Sequence, residues 1–108
     1  MRVSTMFAAV GFGLFAAVPA VAYDTLKEDY AACVQGGGKI ASSEIVAACT
    51  RLIDNSAKEN ELVGYFYAMR MVNNGDKQQN CADARKVLKL VSDQTFVDGA
   101  KKIIKSNC

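Results

Sequence analysis

The sequence predicts an all-α fold: a compact bundle of about five short helices, packed as helical hairpins and stapled by two disulfides. Three observations carry this expectation. Apolar residues recur at the 3, 4 spacing of an amphipathic helix through most of the chain after residue 25, and no alternation of β-branched and polar residues competes with it. Capping residues and glycines interrupt that pattern at intervals of one short helix. The chain also holds four cysteines, Cys33, Cys49, Cys81 and Cys108, an even set suited to a disulfide framework.

The first segment has another character. A charged start at Arg2 leads into an apolar stretch from Met6 to Val18, followed by Pro19 and the small-residue triplet Ala20-Val21-Ala22. This is the three-zone pattern of a secretory signal peptide ending in an A-x-A cleavage site, so residues 1–22 are expected to be removed. The apolar stretch is shorter than the about 20 residues a helix needs to cross a bilayer, so stable membrane insertion is not expected. Cys33 lies well beyond the cleavage site, which argues against a lipid anchor on a leading cysteine. The expected product is one soluble domain, residues 23–108, in the periplasm or outside the cell.

A chain of that size builds one small core whose burial barely exceeds the entropy cost of ordering it, and covalent staples are then useful. No C-x-x-C pair suggests a metal site, and an exported chain favours disulfides. Of the three possible pairings, Cys33 with Cys49 and Cys81 with Cys108 is preferred, because each would tie adjacent antiparallel helices. Each bridge would contribute about 3 kcal/mol. The second, which secures the chain end, is expected to matter more for stability.

The helices follow in order. Thr25-Leu26-Lys27-Glu28 reads as a capping box that opens a helix to about Gln35, stopped by Gly36-Gly37-Gly38. Ser42 or Ser43 is expected to cap a second helix, whose apolar positions are Ile45, Ala48, Cys49, Leu52 and Ile53. Ser56-Ala57-Lys58-Glu59 reads as a capping box for a third helix that ends at Asn74-Gly75. Asp76 caps a fourth, with Val87, Leu88 and Val91 among its apolar residues, and Ser92 or Asp93 starts a fifth with the stripe Phe96, Val97, Ala100, Ile103 and Ile104.

The third helix is apolar nearly all round. Tyr65, Phe66 and Tyr67 are consecutive, and at about 100° per residue they span roughly 200° of the circumference, so one face cannot bury all three. Such a helix either sits at the centre of the bundle or offers one side to a partner. In the second case Tyr65, Tyr67 and Met71 are the candidate contact residues, since aromatic and Met side chains are enriched in interface cores.

The helix, Gly-Asp turn, helix unit around residues 61–90 resembles a degenerate tetratricopeptide or Sel1-like repeat, through Tyr67-Ala68 and Met71, Gly75-Asp76, and Val87-Leu88 with Leu90. The preceding Ala48-Cys49-Thr50-Arg51-Leu52-Ile53 is similar to the lead-in of small exported bacterial proteins carrying such repeats, so the resemblance spans about residues 45–91. Asn80, Ala84 and Ser92 depart from the repeat pattern. What the resemblance implies is a protein-binding scaffold, with the flanking helices covering the apolar face that a single repeat leaves open.

Little in the sequence points to catalysis. The chain has no histidine, which removes the commonest general base and metal ligand, and two bridges would leave no thiolate. Gly36-Gly37-Gly38-Lys39 is followed by Ile40 where a phosphate-binding loop needs Ser or Thr, and a helix precedes it where that loop needs a strand. The carboxylate pairs Glu28 with Asp29 and Glu59 with Glu61 stand in expected first turns, where they offset the helix dipole. No enzyme activity, cofactor or metal is expected.

Charge is unevenly distributed. Residues 23–76 hold five Lys/Arg against eight Asp/Glu, and residues 77–108 hold seven against three. Arg85, Lys86 and Lys89 on the fourth helix and Lys101, Lys102 and Lys105 on the fifth share one spacing, and together they are a candidate surface for an anionic partner. Nucleic acid is not expected, since no aromatic-basic platform accompanies these residues. The functional expectation is a small exported helical protein that binds a partner protein, for instance as an inhibitor or immunity module. The alternatives are an envelope stress chaperone and, more remotely, a small enzyme.

Overall fold

A computed structural model describes residues 25–108, and the segment read as a signal peptide lies outside the described residues. Five helices follow one another: α1 over 25–35, α2 over Ser42–Asp54, α3 over Glu61–Asn73, α4 over Lys77–Leu90 and α5 over Gln94–Asn107. Among the described residues there is no strand, and no helix is long and apolar enough to cross a membrane.

Three helix starts differ from the expected caps. Thr25 is already helical, so the cap of α1 lies outside the described residues. At α2 the capping position is Ala41, whose carbonyl accepts from Glu44 and Ile45, while Ser42 is the first helical residue and no side chain caps the helix. The chain arrives there from a turn in which Lys39 and Ile40 donate to the Gly36 carbonyl and Gly38 takes φ 79°, so Ala41 is extended before either serine is reached. The expected Ser56–Glu59 box does not form. The Ser56 hydroxyl donates to the Leu52 carbonyl at the end of α2, Glu59 turns to α4, and Asn60 caps α3 by accepting from the Val63 amide at 3.0 Å. Asp76 and Asp93 cap α4 and α5 as expected, accepting from Gln79 and Thr95.

The core falls into two clusters on either side of α3. Val63 and Phe66 join Cys33, Ile45, Ala48, Cys49 and Leu52 in the first, and Ala68 and Met71 join Ala84, Val87, Val91 and Ala100 in the second. The consecutive aromatics divide accordingly. Phe66 meets Tyr30 edge-on at 6.1 Å, Tyr65 meets Phe96 at 5.2 Å, and Tyr67 packs against both clusters. α3 is thus the central helix. Complete burial of a side chain such as Ile45 or Val87 contributes about 1.5–3 kcal/mol, and α1 and α5 at the ends have fewer such positions. The disulfides fall at those ends: Cys33–Cys49 ties α1 to α2, and Cys81–Cys108 ties α4 to the end of α5, in the expected pairing.

Candidate binding surfaces

The helical pattern places charged residues where α2, α3 and α4 meet, and two of them are buried. Arg70, 8% exposed, donates from Nε and Nη2 to both oxygens of Asp83, 1% exposed, at 2.8 and 2.7 Å. Its Nη1 donates to the Thr50 hydroxyl at 3.0 Å, and that hydroxyl donates to the Val46 carbonyl. The hydrogen bond with Asp83 raises the Arg70 pKa above its ordinary value against the opposing effect of burial. A second pair joins Arg51 to the buried Asp29 at 2.9 and 2.8 Å and holds α1 on α2.

Next to the first pair, Tyr67 has two cations near its ring, Arg70 at 5.6 Å and Lys86 at 5.9 Å from the centroid. Lys86 is also ion-paired with Glu59, and Lys89 reaches the other oxygen of Glu59 at 3.8 Å. This contact lowers the Glu59 pKa and raises that of Lys86. Glu61 binds the end of α4 instead, accepting from the Ser92 amide and hydroxyl at 3.1 and 2.8 Å, which lowers its pKa too.

The candidate residues therefore separate. Met71 is 2% exposed and is a core residue, while Tyr65 and Tyr67 are half-buried in packing between helices, and burial raises the Tyr65 pKa. Lys86 and Lys89 face a carboxylate. Arg85, Lys101, Lys102 and Lys105 are exposed and form no ion pair among the described residues. The Cys81–Cys108 bridge brings part of this set together, since Arg85 lies one turn after Cys81 and Lys105 about one turn before Cys108.

Another surface was not singled out in the sequence. Leu26 and Tyr30 of α1 and Leu62 and Phe66 of α3 form the sides of an open groove of about 400 Å³ over Leu52. The signal was present as two i, i+4 apolar pairs, but their convergence depends on how α1 lies on α2 and α3. No group of three His, Cys, Asp or Glu is placed to hold a metal ion among the described residues. No protein-family model matches this chain, and no curated protein or solved structure matches it.

Proposed function

We propose that this protein is an exported, non-catalytic binding module that docks a partner protein through the basic α4–α5 face. The carrying observation is that four of its unpaired cations share two bridged helices. Arg51, Arg70, Lys86 and Lys89 are engaged by Asp29, Asp83 and Glu59, whereas Arg85, Lys101, Lys102 and Lys105 stand free of ion pairs among the described residues. Exposed cations on two bridged helices suit a partner that presents carboxylates, as an inhibited enzyme or toxin would. Export is supported by the A-x-A segment together with two disulfides. The repeat-like reading belongs to the same proposal, with α3 and α4 as its helical hairpin.

A second reading, an envelope stress chaperone, is favoured by one feature. Glu59 and Glu61 tether the start of α3 to α4 through exposed contacts that acid would remove, freeing apolar surface.

The test is binding of the oxidised protein to a partner captured from an envelope extract, in about 0.1 M and about 1 M salt, where the Debye length falls from about 10 to about 3 Å. The expected complex weakens in high salt and is lost in Lys101→Glu/Lys102→Glu/Lys105→Glu. A complex indifferent to both changes overturns the basic-face assignment, and turnover of a substrate by the purified protein overturns the non-catalytic one.

A further inference from the structure

We propose that the groove between α1 and α3 is a docking site for an amphipathic segment of a partner protein, one that carries large apolar side chains flanked by carboxylates. This goes beyond the basic α4–α5 face, which lies at the other end of the helix order and shares no residue with the groove.

The groove has an apolar floor, two apolar walls and one lysine, Lys27, in its lining. Leu52 at its base and Phe66 on the α3 wall are buried, while Leu62 and Tyr30 on opposite walls remain 49% and 39% exposed. Each wall presents its residues one helical turn apart, Leu26 with Tyr30 and Leu62 with Phe66, so an apolar stripe of the same period on a third helix can interleave between them. Past Leu62 and Phe66 the surface continues into a second hollow of about 300 Å³, beneath residues 56–60. Both hollows are open to solvent. A single acyl chain laid there would keep one side in water, whereas the back of a helix is made to face it.

Charge sets the rest of the occupant. Lys27 lines the first hollow and Lys58 the second, and neither forms an ion pair among the described residues. No acidic side chain lines either hollow: of the carboxylates near them in sequence, Asp29 is committed to Arg51, Glu59 to Lys86 and Glu61 to Ser92, and the exposed Glu28 lines neither hollow. An apolar segment with carboxylates at its ends satisfies both lysines, and a basic one is repelled.

The test uses the oxidised protein and a synthetic helical peptide of about three turns, with Leu along one face and Glu on the other. Nuclear magnetic resonance titration should give saturable shifts at Leu26, Tyr30, Leu62 and Phe66. Leu62→Glu, and separately Lys27→Glu/Lys58→Glu, should each weaken binding about tenfold or more. Both variants alter exposed positions, and an unchanged far-ultraviolet spectrum reports that the fold is kept. The Lys101→Glu/Lys102→Glu/Lys105→Glu protein should bind the peptide as the parent does. If it does not, the peptide is reading the basic face and the groove proposal fails while the basic-face one stands. Equal binding of a peptide with Lys in place of Glu overturns the charge assignment. Saturation of the groove by dodecanoate without any binding of the acidic peptide overturns the protein occupant in favour of a lipid one.

Discussion

Arg70 of α3 and Asp83 of α4 are joined by two parallel hydrogen bonds at 2.8 and 2.7 Å, with both side chains almost out of water. The residues are 13 positions apart, and the pairing exists only because the Asn74–Asp76 turn folds α4 back along α3. Removing one charged partner from such a site leaves the other buried and uncompensated, at a cost of about 3–5 kcal/mol. Asp83→Ala should therefore lose about that much in urea unfolding. The apolar double substitution Arg70→Met/Asp83→Leu should lose far less, and a double variant as unstable as Asp83→Ala would refute an uncompensated charge as the cause.

The two disulfides differ in their surroundings. Cys33 and Cys49 are in the core, whereas Cys108 is exposed at the end of α5. Thiol exchange needs access, so mild reduction followed by alkylation and mass spectrometry should label Cys81 and Cys108 first. Stability should rank the other way from the expectation based on the chain end. Loop entropy favours the separation of 27 over that of 16 by only about 0.5 kcal/mol. Cys33→Ser/Cys49→Ser places two hydroxyls in an apolar core, at about 1–3 kcal/mol each, and should lower Tm further than Cys81→Ser/Cys108→Ser.

The helices were legible because their signals are local: apolar spacing, Asp76 and Asp93 as caps, and glycines after α1. The pairing of the cysteines followed from the same order of elements. Where a local signal failed, a competing contact had taken the group. Ser56 spends its hydroxyl on α2 and Glu59 spends its carboxylate on Lys86, so their capping box never forms. Met71 had the composition of an interface residue but lies on the side of α3 that faces the second cluster. Arg70 was visible as a lone cation in an apolar helix. Its partner was not, since register across a hairpin decides which residue of α4 stands opposite.

Glu59 and Glu61 have pKa values lowered from the ordinary 4.5, by hydrogen bonds from Lys86 and from Ser92 respectively. A carboxylate depressed in the folded state contributes stability that is present above its unfolded value and is lost as pH falls through the folded one. Acidification below 4.5 should thus loosen the start of α3 from α4. Amide hydrogen exchange at residues 59–64, corrected for intrinsic rates, should rise between pH 5.5 and pH 3. In Glu59→Gln/Glu61→Gln that rise should be much smaller, and an undiminished rise would assign the acid response to other groups.

Two helical glycines separate intrinsic propensity from packing. Glycine inside a helix is less favourable than alanine by about 0.5–1 kcal/mol, because it loses more backbone freedom on folding. At Gly99 in α5 an added Cβ meets nothing within 4 Å, so Gly99→Ala should gain most of that difference and raise Tm. At Gly64 in α3 the same atom would stand 2.6 Å from Val91 Cγ2 and 2.8 Å from Leu90 Cβ. Leu90 Cβ is fixed to the backbone at the end of α4 and cannot turn aside, so the helices must separate there. Overpacking of this kind costs about 1–3 kcal/mol, enough to exceed the propensity gain. Gly64→Ala should lower Tm while Gly99→Ala raises it. The displacement should also weaken the Glu61 contact with Ser92, which lies one turn from Gly64 and next to Val91, so exchange at the Ser92 amide should rise in Gly64→Ala alone. A Gly64→Ala protein as stable as the parent would mean that α4 yields at its end and that the close approach does not fix the spacing of α3 and α4.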